Sequence, residues 1–133
     1  RTPLAWDSSS NAGFSIHDPW LPLHGDWWTR NVATHLGDPG SMLSLYRELL
    51  RLRRGEPALS IGSIELDKGS EHVLAYKRQH GGSRLQILLN LSGTERQFPD
   101  GALGGLLLST LGGPPPDGWL RPDEGVILRL EDR

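Results

Sequence analysis

Seventeen glycines and ten prolines punctuate a chain of 133 residues, and they leave one stretch with a clear helical period. In it Met42, Leu45, Tyr46, Leu49 and Leu52 recur at three- and four-residue steps, which lines one apolar stripe along a helix. Asp38 is a cap-type residue, and Pro39 suits the first helical position, where a missing N–H costs nothing. Arg51, Arg53 and Arg54 crowd the last turn, where the helix dipole favours cations, and Gly55 is the expected stop before Pro57. The pattern predicts a helix over 39–54.

From residue 60 the period changes. Ser63–Asp67, His72–Gln79 and Arg84–Leu91 read as short strands, with His80-Gly-Gly-Ser83 as a hairpin loop between the last two. Glu95–Phe98, Leu106–Thr110 and Val126–Leu130 continue the series, broken by Gly, Pro and Asp at each junction. Three consecutive prolines keep Leu111–Gly118 out of any sheet interior. Short strands at roughly ten-residue spacing predict an antiparallel sandwich or meander.

Residues 1–37 have neither period. They hold four of the five tryptophans and three prolines, and read as a long aromatic-rich loop packed on a surface outside the chain. In isolation this segment is expected either to be mobile or to self-associate through its aromatic surface. With Arg1 rather than Met at its opening, the chain is expected to be a piece of something longer.

Composition removes several function classes. Zero cysteine excludes disulfides, thiol catalysis and thiolate metal sites. A net charge of −2 gives no field for nucleic acid or an anionic membrane. No apolar run approaches the ~20 residues of a membrane span, and no leader pattern opens the sequence. A cytoplasmic location is therefore expected.

Candidate chemistry is sparse. His17, His24, His35, His72 and His80 show no HxxxH or HExxH spacing, so no metal site is expected. Gly101–Gly105 lacks the Lys-Ser/Thr of a phosphate loop and reads as a turn. Asn90-Leu-Ser92 is a glycosylation sequon at a strand end and is not expected to be modified. The basic run Arg51–Arg54 reads as a solvated helix end. Trp20, Trp27 and Trp28 are either a stacking platform for sugar rings or anchors for their own loop.

An ordered series of motifs settles more. Arg1-Thr-Pro-Leu-Ala-Trp-Asp7 followed by Asn11-Ala-Gly-Phe14 resembles the RTPMQWD…NAGF segment of α-glucosidases and oligo-1,6-glucosidases in the α-amylase family of glycoside hydrolases. Pro19–Pro22, Asn31-Val-Ala33, Asp38–Arg47, Leu50–Arg54, Pro57-Ala-Leu59, Val73–Tyr76 and Leu88–Ser92 continue it in order. The resemblance implies a mainly β chain: a C-terminal antiparallel β-sandwich over 55–133, preceded by the tail of a (β/α)8 catalytic barrel over 1–54. That tail would comprise the long loop 1–37 and the last barrel helix at 39–54.

The resemblance also implies a parent enzyme that releases terminal α-linked glucose from malto- or isomalto-oligosaccharides with two carboxylates in a retaining mechanism. The motifs carrying those carboxylates lie upstream of the RTPMQWD segment. Asp7, Asp18, Asp26 and Asp38 have no matching context, so the chain alone is expected to be an inactive structural portion with no catalytic residue and no cofactor. The resemblance carries over one residue, Arg1, and implies that this substrate-binding arginine opening the motif clamps the terminal glucose and helps to read its 4-hydroxyl. Leu4 and Ala5 depart from the usual Met and Gln. The implied partners are an α-glucan oligosaccharide and the missing barrel. Two alternatives remain open: a stand-alone carbohydrate-binding β-sandwich using the tryptophans, and part of a trehalose-synthase-like transglycosylase.

Overall fold

The computed structural model describes residues 1–99 and 104–131. The chain divides into two compact units, Arg1–Glu48 and Leu49–Arg133.

In the first unit a tight turn over Ser10–Gly13 and a short helix α1, Val32–Leu36, interrupt the stretch that shows no period in sequence. Five residues are too few to display a 3.6-residue repeat, so α1 is marked only by its cap. Buried Asn31 accepts from the Thr34 amide at 2.9 Å and donates to the carbonyls of Trp27 (3.0 Å) and Trp28 (3.3 Å). Its side chain thus stops the preceding turn and starts the helix. Asn31→Ala is expected to cost about 1–2 kcal/mol locally. Hydrogen exchange checks this: the Thr34 amide should lose protection while the sheet amides keep theirs.

The helix expected over 39–54 is α2, Met42–Gly55. Its start lies three residues later than the Asp38–Pro39 pair implies. Asp38 instead closes a turn: Oδ1 accepts from Gly40 N–H at 2.8 Å, and its carbonyl accepts from Ser41 N–H at 3.1 Å. Ser41 takes the cap, with Oγ accepting from the Ser44 amide at 3.2 Å. Nor is Gly55 the stop beyond the helix. The Glu56 amide still reaches Leu52 O at 2.9 Å, and Pro57, without an N–H, ends the ladder and opens helix α3, Pro57–Ser60. Along the stripe Leu45, Leu49 and Leu52 are half-buried, while Met42 and Tyr46 stay exposed.

The second unit is antiparallel β. Its strands are β1 Ser63–Leu66, β2 Val73–His80, β3 Ser83–Asn90, β4 Arg96–Gln97, β5 Gly105–Ser109, β6 Trp119–Leu120 and β7 Gly125–Arg129. Five form one sheet in the order β1-β2-β3-β7-β5, and β4 pairs with β6 as a second layer. The β2–β3 hairpin is tighter than the expected four-residue loop, because His80 and Ser83 already pair across Gly81-Gly82. Gly81 carries a φ of 56°, which glycine adopts without steric cost. The Pro-rich loop stays outside both sheets. The Gly101–Gly105 run lies largely outside the described residues.

Alternation across the large sheet sorts the core. Val73, Ala75, Leu88, Val126 and Leu128 pack with Leu120 of β6 and with Phe98, so the two-stranded layer closes a thin sandwich. Leu88 and Leu120 are fully buried, each stabilising the fold by about 1.5–3 kcal/mol. Glu56 accepts from Ser83 Oγ at 3.1 Å and pairs with Arg129, which latches the α2–α3 joint to β3 and β7. Among the described residues no helix is long and apolar enough to cross a membrane.

Candidate functional site

The segment opening on Arg1 is held through both its amides and its carbonyls. The amides of Trp6 and Asp7 donate to Ala12 O at 2.8 and 3.3 Å. Val32 and Ala33 in turn donate to the carbonyls of Ala5 (3.0 Å) and Trp6 (2.9 Å). These are two of the four amides that any helix start leaves without an internal partner. The Asn31 side chain satisfies a third, that of Thr34, and its carbonyl accepts the first bond internal to the helix, from His35. Three motifs, two of them nearly adjacent and the third some twenty residues on (residues 1–7, 11–14 and 31–33), thus meet in one frame.

Asp7 braces that frame. Its Oδ1 accepts from Ser9 N–H at 2.9 Å and from the Ser9 hydroxyl, and these bonds hold its carboxyl below the usual range. Arg1 itself is exposed at the end of the segment.

Beside residues 2–5 lies an open cleft of about 340 Å³, bounded further by His24, Asp26, Arg30 and His35. Asp26 sits between His24 Nδ1 and Arg30 Nη1, the latter donating at 3.2 Å. The His24 hydrogen bond, helped by Arg30, holds the Asp26 carboxyl low against its partial burial. Asp7 and Asp26 are therefore ionised near neutral pH and bonded within their own loops. A general acid needs the opposite, a carboxyl kept protonated, so neither suits the acid role of a glycosidase.

The remaining candidates sort plainly. Trp27 and Trp28 meet edge to face, with centroids 6.1 Å apart and planes at 78°, so they share no flat face for a sugar ring. Trp20 stands out in solvent at 87% exposure. Asn90 is buried, and its amide nitrogen donates to the carbonyls of Thr94 and Arg121, both at 2.8 Å, which leaves the sequon closed to glycosylation. Among the described residues no group of three or more His, Asp or Glu is arranged to hold a metal.

One buried polar cluster has no signal in the sequence. Glu124, with no exposed surface, accepts from Arg121 at Nη2 (2.7 Å), Nε (3.1 Å) and the backbone amide (2.8 Å), and from the Ser109 hydroxyl. It ties the loop before β7 to β5 and serves the fold.

With this frame and sandwich in view, residues 1–62 match the family described as α-amylase, catalytic domain. A probable α-glucosidase of Rhizobium meliloti is 40% identical over 92 residues, covering 69% of this chain and 17% of its own. An α-glucosidase of Pediococcus pentosaceus is 32% identical across 98% of this chain and 24% of its own. The solved trehalulose synthase MutB from Pseudomonas mesoacidophila superposes with a TM-score of 0.86 at 33% identity, over 98% of this chain and 25% of that one. The chain belongs to the α-amylase family. Within it, the similarity runs to enzymes named α-glucosidase and oligo-1,6-glucosidase. The chain spans no more than about a quarter of the length of these relatives.

Proposed function

We propose that this chain is the C-terminal portion of a retaining α-glucosidase-type glycoside hydrolase that releases terminal α-linked glucose from malto- or isomalto-oligosaccharides. Residues 1–54 are read as the tail of its catalytic barrel and 55–133 as the C-terminal sandwich. The observation that carries the reading is the frame itself, in which the RTPLAWD, NAGF and NVA segments come together through backbone hydrogen bonds. Arg1, at the end of the first of these segments, is the substrate contact: its planar fork suits a hydroxyl and a neighbouring carboxylate together. The nucleophile and acid/base belong to the rest of the parent. A cytoplasmic setting is part of this reading, since a chain without cysteine needs no oxidising compartment. In the isolated chain the exposed Trp6, Phe14, Trp20 and Trp28 supply a surface for self-association.

Release of nitrophenol from a nitrophenyl α-glucoside tests the reading. The full-length protein should hydrolyse it and liberate free glucose from maltose or isomaltose. The 133-residue chain alone should match buffer, because general acid and nucleophile supply most of a glycosidase's acceleration. An inactive full-length protein overturns the assignment. Activity of the isolated chain, after host glucosidases are removed, overturns the division of labour.

A further inference from the structure

Three successive residues, Asn11, Ala12 and Gly13, hold left-handed φ angles of 55°, 57° and 62°. Glycine takes that conformation freely, whereas an alanine there costs about 1–2 kcal/mol. Ala12 is also completely buried. The strained turn aims one group, the Ala12 carbonyl, at the amides of both Trp6 and Asp7. It also leaves room for Asp7: a Cβ on Gly13 would lie 2.7 Å from Asp7 Oδ1 and 2.8 Å from its Cγ and Oδ2. An added methyl would therefore push the carboxylate off Ser9 as well as strain the backbone. Local strain of this kind persists where the surroundings over-determine it, as at sites needing fixed geometry.

We infer that Asp7, Ala12 and Gly13 form a positioning clamp for Arg1, fixing the direction in which residues 1–4 leave the frame and so the placement of the guanidinium against the substrate sugar. The inference rests on the substrate role proposed for Arg1. Their role is positioning: they act on Arg1 through the segment they grip. The clamp holds the amides of residues 6 and 7 and helix α1 holds the carbonyls of residues 5 and 6, so a shift of the turn works against the α1 bonds and moves the segment between them.

The test is a double-mutant cycle in the full-length enzyme, assayed well below its melting temperature. Gly13→Ala should lower kcat/KM by about ten- to a hundredfold, the range expected when a binding group is misplaced by about an ångström. In an Arg1→Ala background the same substitution should cost less than about threefold, because no fork is left to misplace. If Gly13→Ala impairs folding, Ser9→Ala loosens Asp7 more gently and runs through the same cycle, with Asp7→Asn expected to retain activity because its carbonyl still accepts from Ser9. A merely structural turn would lower the melting temperature equally in both backgrounds and give additive kinetic losses. Additive losses, or wild-type kcat/KM in Gly13→Ala or Ser9→Ala, overturn the clamp alone. A wild-type protein that cleaves no α-glucoside overturns the clamp and the proposed function together.

Discussion

Arg121→Met is expected to destabilise the 133-residue chain by about 3–5 kcal/mol at neutral pH, measured by urea unfolding of the sandwich. The arginine side chain donates to Glu124 from Nε and Nη2, and Nη2 also reaches Ser109 Oγ and the Gly112 carbonyl, each at 3.1 Å. Methionine fills similar space but offers no donor. Glu124 would stay buried with only the Ser109 hydroxyl and one backbone amide against its charge. The side chain of Arg121 is 29% exposed, so water entering beside the variant should hold the loss toward the lower end. Glu124→Gln should cost less, about 1–3 kcal/mol, because it leaves Arg121 facing solvent and a carbonyl instead of a stranded buried charge. The double variant should lose less than the two single losses combined.

The same pair sets a pH dependence. Burial alone would raise the Glu124 carboxyl, but the hydrogen bonds from Arg121 and Ser109 win and hold it below its ordinary value. A carboxyl lowered in the folded state contributes stability that is complete above its unfolded value and is lost as the pH falls through the folded one. Wild-type stability should therefore decline in acid. The gap to Arg121→Met should narrow at the same time, since the stranded carboxylate of the variant is relieved by taking up a proton. A gap that stays constant from pH 7 to pH 4 would show that the arginine contributes packing rather than charge.

The contrast between α2 and Glu124 shows what a sequence of this kind reveals. Five apolar residues at helical spacing suffice to place α2, because amphipathic periodicity is a local property repeated over several turns. Its first residue is misplaced because Asp38 and Ser41 are both good caps, and the choice falls on Ser41 only once Asp38 closes its own turn with Gly40. Strands β2 and β3 are legible to within a residue at each end, but β6 has two residues and exists only through its pairing with β4. Glu124 is invisible for a different reason. The run Arg121-Pro-Asp-Glu-Gly125 reads as a polar surface turn, and its burial depends on Ser109, fifteen residues away. The frame around Arg1 is intermediate. Asn11 and Gly13 are residues that favour a left-handed turn, yet buried Ala12 is not. The bonds between residues 5–7, 12 and 32–33 join motifs that only the family resemblance ties together.

Arg1→Lys in the full-length enzyme should lower kcat/KM by about ten- to a hundredfold, equivalent to about 1.5–3 kcal/mol of lost charge-assisted hydrogen bonding. Lysine keeps the charge but presents it as a point on a flexible stem, and it cannot hold a hydroxyl and a carboxylate with one planar fork. The loss should be greatest for substrates with a free terminal 4-hydroxyl and should shrink for 4-deoxy analogues, which never made the contact. An arginine that served only to pin its loop through an ion pair would behave otherwise: replacing it would lower thermal stability and reduce turnover of both substrates alike. The two cases separate because a ground-state loop defect acts before any sugar binds, whereas a lost fork is felt only where there is a hydroxyl to read. Kinetics of the variant on the paired substrates decide the matter, and equal losses on both remove Arg1 from the substrate site.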